Sequence, residues 1–118
     1  MDKMEVRAVD GPNGIRVLHV AGPVTLNTLF DLQDAIRKEQ GTGLIISLSE
    51  VPYMDSAGLG AILGAYASCQ RHARGFALAS VSERVLTLLQ IAKVDSLVPR
   101  FETVEAAAAA LSAQSKTA

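Results

Sequence analysis

Asp55-Ser56 is where side-chain types and spacing in this chain offer chemistry, because a carboxylate and a hydroxyl stand together where a loop meets a helix. The first backbone N–H groups of a helix lack internal partners, and the macrodipole places partial positive charge beside them. An Asp or Ser there makes a good cap, and a phosphate group is well tolerated. Gly58 and Gly60 follow in the first turns, where each costs about 1 kcal/mol relative to alanine. Ala57, Gly60, Ala61, Gly64, Ala65 and Ser68 add a stripe of very small side chains at helical spacing. Such a stripe lets another backbone approach closely, from this chain or from a partner. From these residues alone, capping and tight helix-on-sheet packing explain the stretch more simply than a binding site does.

Two enzymatic readings fit the same residues poorly. Gly58-Leu59-Gly60-Ala61-Ile62-Leu63-Gly64 has the outline of a relaxed dinucleotide fingerprint. A loop containing Pro52 separates it from the preceding strand, however, and the chain has no room for a second mononucleotide half. A nucleophilic Ser56 lacks the flanking Gly-x-Ser-x-Gly, and neither His19 nor His72 is placed by sequence to serve it. His72, beside Arg71 and Arg74, suits a helix C-terminus instead. No catalytic residue is expected.

The elements that must position Asp55-Ser56 follow from periodicity. Met4 to Val9 alternates apolar and polar residues, and Ile15 to Ala21 is rich in β-formers; the turn-forming stretch Asp10–Gly14 between them predicts an antiparallel hairpin. From Asn27 the period becomes helical, with Leu29, Leu32 and Ile36 on one stripe, Phe30 and Ala35 at its border, and Thr25, Asn27 or Thr28 as the cap. Leu44-Ile45-Ile46-Ser47-Leu48 is nearly continuous apolar sequence, the mark of a strand covered on both faces. The helix after Ser56 should bury Leu59, Ile62, Leu63 and Tyr66. A short strand at Phe76–Ala79 follows, then a capping box at Ser80–Glu83 and a helix burying Val85, Leu88, Leu89 and Ala92. Pro99 confines the last strand, 97–101, to an edge. Ala106–Ala110 forms a helix with little to pack. Alternating strands and helices predict an α/β fold: a mixed, mostly parallel sheet with an N-terminal antiparallel edge hairpin and about four helices. One domain over 1–112 and a disordered tail over 113–118 are expected.

Composition sets the outer bounds. The chain has 118 residues, 49% of them hydrophobic, and a net charge of −1, which argues against nucleic acid as the main partner. The single Cys69 excludes an internal disulfide and leaves no thiol set for a structural zinc, so no metal site is expected. No apolar run reaches the roughly 20 residues of a bilayer span, and charges interrupt the N-terminus where a signal peptide needs apolar residues. A cytoplasmic location without membrane insertion is the expectation.

The stretch Val51-Pro52-Tyr53-Met54-Asp55-Ser56-Ala57-Gly58-Leu59-Gly60 resembles the motif hydrophobic-Met/Ile-Asp-Ser-Ser/Thr-Gly-Leu-Gly of STAS domains, in particular the stand-alone anti-sigma-factor antagonists of bacteria. Ser82-Glu83-Arg84-Val85 to Ile91 and Val98 to Glu105 are similar to the family's later elements, so the resemblance runs from about residue 4 to residue 112. It implies a switch, with no catalysis of its own. The unphosphorylated antagonist captures an anti-sigma factor that is also a serine kinase, and so frees a sigma factor. The kinase, supplying its own ATP and Mg²⁺, phosphorylates the Ser after the motif Asp, and a PP2C-type phosphatase resets the cycle. Carried over, Ser56 is the acceptor, and the partner surface comprises Thr25, Asp55, Ser56, Ala57, Gly58 and Gly60. The alternative is a non-switching STAS subunit of a lipid-transport ATPase or a stressosome-like scaffold. Two stretches depart from the pattern. Ala57 stands where many relatives carry a second hydroxyl, and Gly22-Pro23-Val24-Thr25 replaces Gly-Glu-hydrophobic-Asp.

Overall fold

Five strands and four helices alternate along the chain in the computed structural model, which describes residues 3–116. Strands β1 (Glu5–Asp10) and β2 (Ile15–Ala21) form the hairpin, joined through a 3-10 turn at Pro12–Gly14. Then come α1 (Leu29–Arg37), β3 (Gly43–Glu50), α2 (Ser56–Arg71), β4 (Gly75–Ala79), α3 (Glu83–Ile91), β5 (Arg100–Phe101) and α4 (Val104–Lys116). The strands lie side by side in the order β1-β2-β3-β4-β5, antiparallel at β1–β2 and parallel thereafter. The sheet is therefore the mixed α/β sheet expected, with β5 reduced to two residues at its edge next to Pro99.

That order fixes where the helices go. Each parallel strand is added on the same side of the last, so right-handed crossovers put α1, α2 and α3 on a single face. The main core lies there: Leu18 and Val20 of β2 and Leu44, Ile46 and Leu48 of β3 meet Leu32 of α1, Leu59 and Ile62 of α2, and Val85 and Leu89 of α3. The opposite face belongs to α4, which closes a smaller core over Ile15, Val17, Ile45, Ala77 and Ala79. β3 is central, and Leu44, Ile45, Ile46 and Leu48 are fully buried between the two layers.

Several local expectations are revised. The alanine run packs closely: Ala107 and Ala108 are buried against the sheet, because side chains this small let the α4 backbone approach it. Ala92 is exposed at the C-cap of α3, one residue beyond the buried stripe. Ser82, rather than Ser80, caps α3, accepting from the Val85 N–H at 3.3 Å. Ser80 instead takes a positive φ of 59° and donates its hydroxyl to the Glu102 carbonyl. α4 continues to Lys116, into the segment assigned to a tail, whose last two residues, 117–118, lie outside the described residues.

Candidate functional site

The N-terminus of α2 is built from two loops sewn together. The loop after β2 and the loop after β3 meet in a parallel bridge at Val24 and Met54. Val24 N–H donates to the Tyr53 carbonyl at 3.2 Å, and Asp55 N–H donates to the Val24 carbonyl at 3.1 Å. The Thr28 hydroxyl braces the first loop from within, donating to the Pro23 carbonyl and accepting from the Thr25 N–H, both at 2.9 Å. Thr28 therefore occupies the N-cap position of α1 without capping it by its side chain.

Asp55 joins these parts. One carboxylate oxygen accepts the Gly58 N–H at 2.9 Å, the N-cap bond of α2. The other accepts the Leu26 N–H at 3.0 Å, which clamps the first loop to the helix. The Gly58 amide, followed by that of Leu26, holds the Asp55 carboxyl below the usual carboxylate range against the opposing effect of burial. A carboxyl depressed on folding adds stability above its unfolded value near 3.9 and loses that contribution as pH falls through the folded value. Asp55→Ala should therefore cost about 1–2 kcal/mol at neutral pH. Denaturant melts of both proteins should show that gap closing below about pH 4.

Ser56 is the first residue of α2 and is exposed. Its hydroxyl makes no hydrogen bond among the described residues, so it is approachable and unspent. The neighbouring small residues divide. Gly58 is buried, and a Cβ there would lie 2.3 Å from the Val24 carbonyl oxygen and 2.8 Å from its Cγ1. Its smallness serves the fit of helix on loop, so it lies beneath the surface to which it was assigned. A Cβ on exposed Gly60 would meet nothing within 4 Å, and the same holds at Gly64. Ala57 and Thr25 are half-buried, and the Thr25 hydroxyl accepts the Asn27 N–H at 3.3 Å. Of the sequence-derived set, Ser56 and Gly60 present themselves to solvent, while Asp55, Thr25 and Gly58 mainly build the platform.

Two exposed apolar residues, one on the clamped loop and one in the first turn of α1, were not singled out from the sequence. Leu26, held against the α2 N-terminus by the Asp55 clamp, is 63% exposed, and Phe30 in the first turn of α1 is 71% exposed. The helical stripe had placed Phe30 only at its border. An apolar residue that an amphipathic stripe cannot accommodate was the available signal. His19 lies in β2, and its register with Ser47 sets it on the α4 face of the sheet, away from Ser56. His72 ends α2, its Nδ1 2.8 Å from the Ser68 carbonyl. Neither imidazole belongs to this site. Among the described residues no helix is long and apolar enough to cross a membrane.

A parallel sheet carrying three crossover helices on one face, a hairpin at one edge and an Asp-capped Ser at the start of α2 defines a STAS-type α/β domain. The STAS domain family matches residues 7–107, and the chain belongs to that family. It is 31% identical over 84 residues to an anti-sigma-B factor antagonist of Listeria monocytogenes, covering 69% of this chain and 74% of that protein. The crystal structure of an anti-sigma factor antagonist from Mycobacterium paratuberculosis superposes with a TM-score of 0.84 at 22% identity, over 92% of this chain and 94% of the other. The Bacillus cell fate determinant SpoIIAA in its phosphorylated form shares the fold at 19% identity and a TM-score of 0.67, over 87% and 96% of the two chains.

Proposed function

We propose that this protein is an anti-sigma-factor antagonist whose capture of an anti-sigma kinase is switched off by phosphorylation of Ser56. The observation that carries this reading is the exposed, unbonded Ser56 hydroxyl at the start of α2, next to a carboxylate already committed to two backbone amides. Similarity to anti-sigma-B factor antagonists supports the partner class, and the existence of a phosphorylated form of a protein with this fold supports the chemistry.

The geometry suits a switch that leaves the fold alone. Phosphorylation adds about −1.5 to −2 charge and three acceptor oxygens. The α2 N-terminus accommodates part of that charge, while Asp55, bound through Gly58 and Leu26, stays in place. Seen from a docked partner, the same group is bulky, doubly charged and beside another anion. The partner contributes ATP, Mg²⁺ and the transfer chemistry; a PP2C-type phosphatase removes the phosphate by hydrolysis. Incubation with a cognate kinase and Mg-ATP should add one phosphate to the wild-type chain and none to Ser56→Ala, read by intact-mass spectrometry. Equal labelling of that variant would refute the assignment.

Leu26 and Phe30 give the docking surface its character. The loop from 22 to 28 carries no acidic side chain, so the partner is met by apolar area beside the acceptor serine. Phe30→Glu should weaken kinase capture by about tenfold or more, as loss of an apolar anchor does. Its melting temperature should stay unchanged, since Phe30 is outside the core. Undiminished capture would remove Phe30 from the interface.

A further inference from the structure

The sheet face under α4 has one helix to cover it, and beside β1 and β2 that helix leaves a cleft of about 720 Å³, running from the turn at Asp10–Pro12 to His19, Ser47 and Ser49. Val9, Val17, Val104 and Ala108 supply its apolar walls, while His19, Ser47, Ser49 and Ser80 supply polar groups. Its volume lies within the range of small-molecule sites. This cleft and the α2 helix that starts at Ser56 lie on opposite sides of the sheet, so the cleft is separate from the switch.

Ser47 is the informative residue. Alternation along β3 puts it on the same side as Ile45, facing α4, and the residue is 3% exposed. Its register partners are His19 on β2 and Ala79 on β4. The Ser47 hydroxyl makes no hydrogen bond among the described residues, and neither does the His19 imidazole. Although the residue is nearly buried, its hydroxyl oxygen keeps access to the cleft: among the described residues the buried side-chain polar atom without a partner is Arg74 Nη2. Several of the other polar groups around the cleft are already used, while Ser49 and Glu105 are exposed. Ser80 donates to the Glu102 carbonyl, the Thr103 hydroxyl accepts the Ala106 N–H, and Asp10 pairs with Arg16. Ser47 and His19 are thus two neighbouring groups, able to donate and accept, that face the cleft and are not used by other groups among the described residues.

The lining also selects by charge. It contains no lysine or arginine, and it includes the carboxylates of Asp10 and Glu105. Arg7, in register with His19, lines the adjoining hollow instead. With Asp10 paired to Arg16, a phosphate or carboxylate would meet Glu105 in a lining that has no lysine or arginine of its own. We propose that this cleft binds a small uncharged amphipathic molecule, its hydroxyl or carbonyl group bonded by Ser47 and His19 and its aliphatic body lying along Val9, Val17, Val104 and Ala108.

Amide shifts of the ¹⁵N-labelled full chain during titration with 1-octanol test this, with octanoate and GTP as charged comparators. Saturable shifts at His19, Ser47 and Ala108 are expected, with octanoate binding about tenfold more weakly and GTP leaving these amides unmoved. Ser47→Ala should weaken octanol binding by about fivefold, the worth of one hydrogen bond. Ala109→Leu, which enlarges an exposed side chain at the cleft, should block binding without disturbing the core. The proposal is overturned by shifts that do not saturate or that map elsewhere. It is equally overturned by tighter binding of octanoate or GTP, or by wild-type affinity in the folded Ser47→Ala or Ala109→Leu protein.

Discussion

Ser56→Asp is expected to weaken capture of the anti-sigma kinase by about a hundredfold, or roughly 3 kcal/mol, while leaving the melting temperature nearly unchanged. The two halves of that expectation have separate causes. Within the chain, the new carboxylate lies at the first residue of α2, exposed and stabilised by the helix dipole, so folding tolerates it. At the interface it must be desolvated beside Asp55 and the apolar surface of Leu26 and Phe30, where unpaired or like charges cost several kcal/mol. Titration of the purified kinase with each protein by calorimetry measures the difference. A scaffold subunit of a lipid-transport ATPase or stressosome, with α2 as a permanent docking surface, would tolerate the substitution. Wild-type affinity would therefore move the protein to that class.

The second large effect separates two glycines of one motif. Gly58→Ala should cost about 3 kcal/mol, because its methyl group would lie 2.3 Å from a backbone oxygen of Val24 and 2.9 Å from Met54 Cγ. Neither helix nor loop can yield without breaking the bridge and the amide bonds that hold the Ser56 platform. Gly60→Ala meets open space, so it should stabilise α2 by about 0.5–1 kcal/mol through lower backbone entropy in the unfolded chain. Chemical denaturation gives both signs in one experiment. If the partner packs over the open face at Gly60, that same stabilising variant should bind the kinase about tenfold more weakly. A glycine kept where alanine would make a better helix then owes its presence to the interface.

How much of this was legible in the sequence depended on how local the cause was. The strand and helix order followed from period and turn chemistry, and the continuous apolar run at Leu44–Leu48 gave the doubly covered central strand. Asp55 was readable as a cap because capping is set within one turn. Its second bond, to Leu26 across 29 positions, was not, since it depends on how two loops meet. The glycines looked alike on paper, and the close approach of Val24 alone sorts them into one buried and one open position. Ala106–Ala110 was misjudged for the same reason: a run of small residues looks idle until a sheet is found lying against it. Ser47 lies within that nearly continuous apolar run without drawing attention, and only the uncovered part of the α4 face makes its hydroxyl conspicuous.

The most direct test of the switch compares one kinase with two forms of this chain, unmodified and stoichiometrically phosphorylated, after tandem mass spectrometry has located the phosphate. Modification at Ser56, with affinity lowered at least about a hundredfold and the melting profile retained, is the expected result. A phosphate on another residue, or equal affinity of the two forms, would contradict the account.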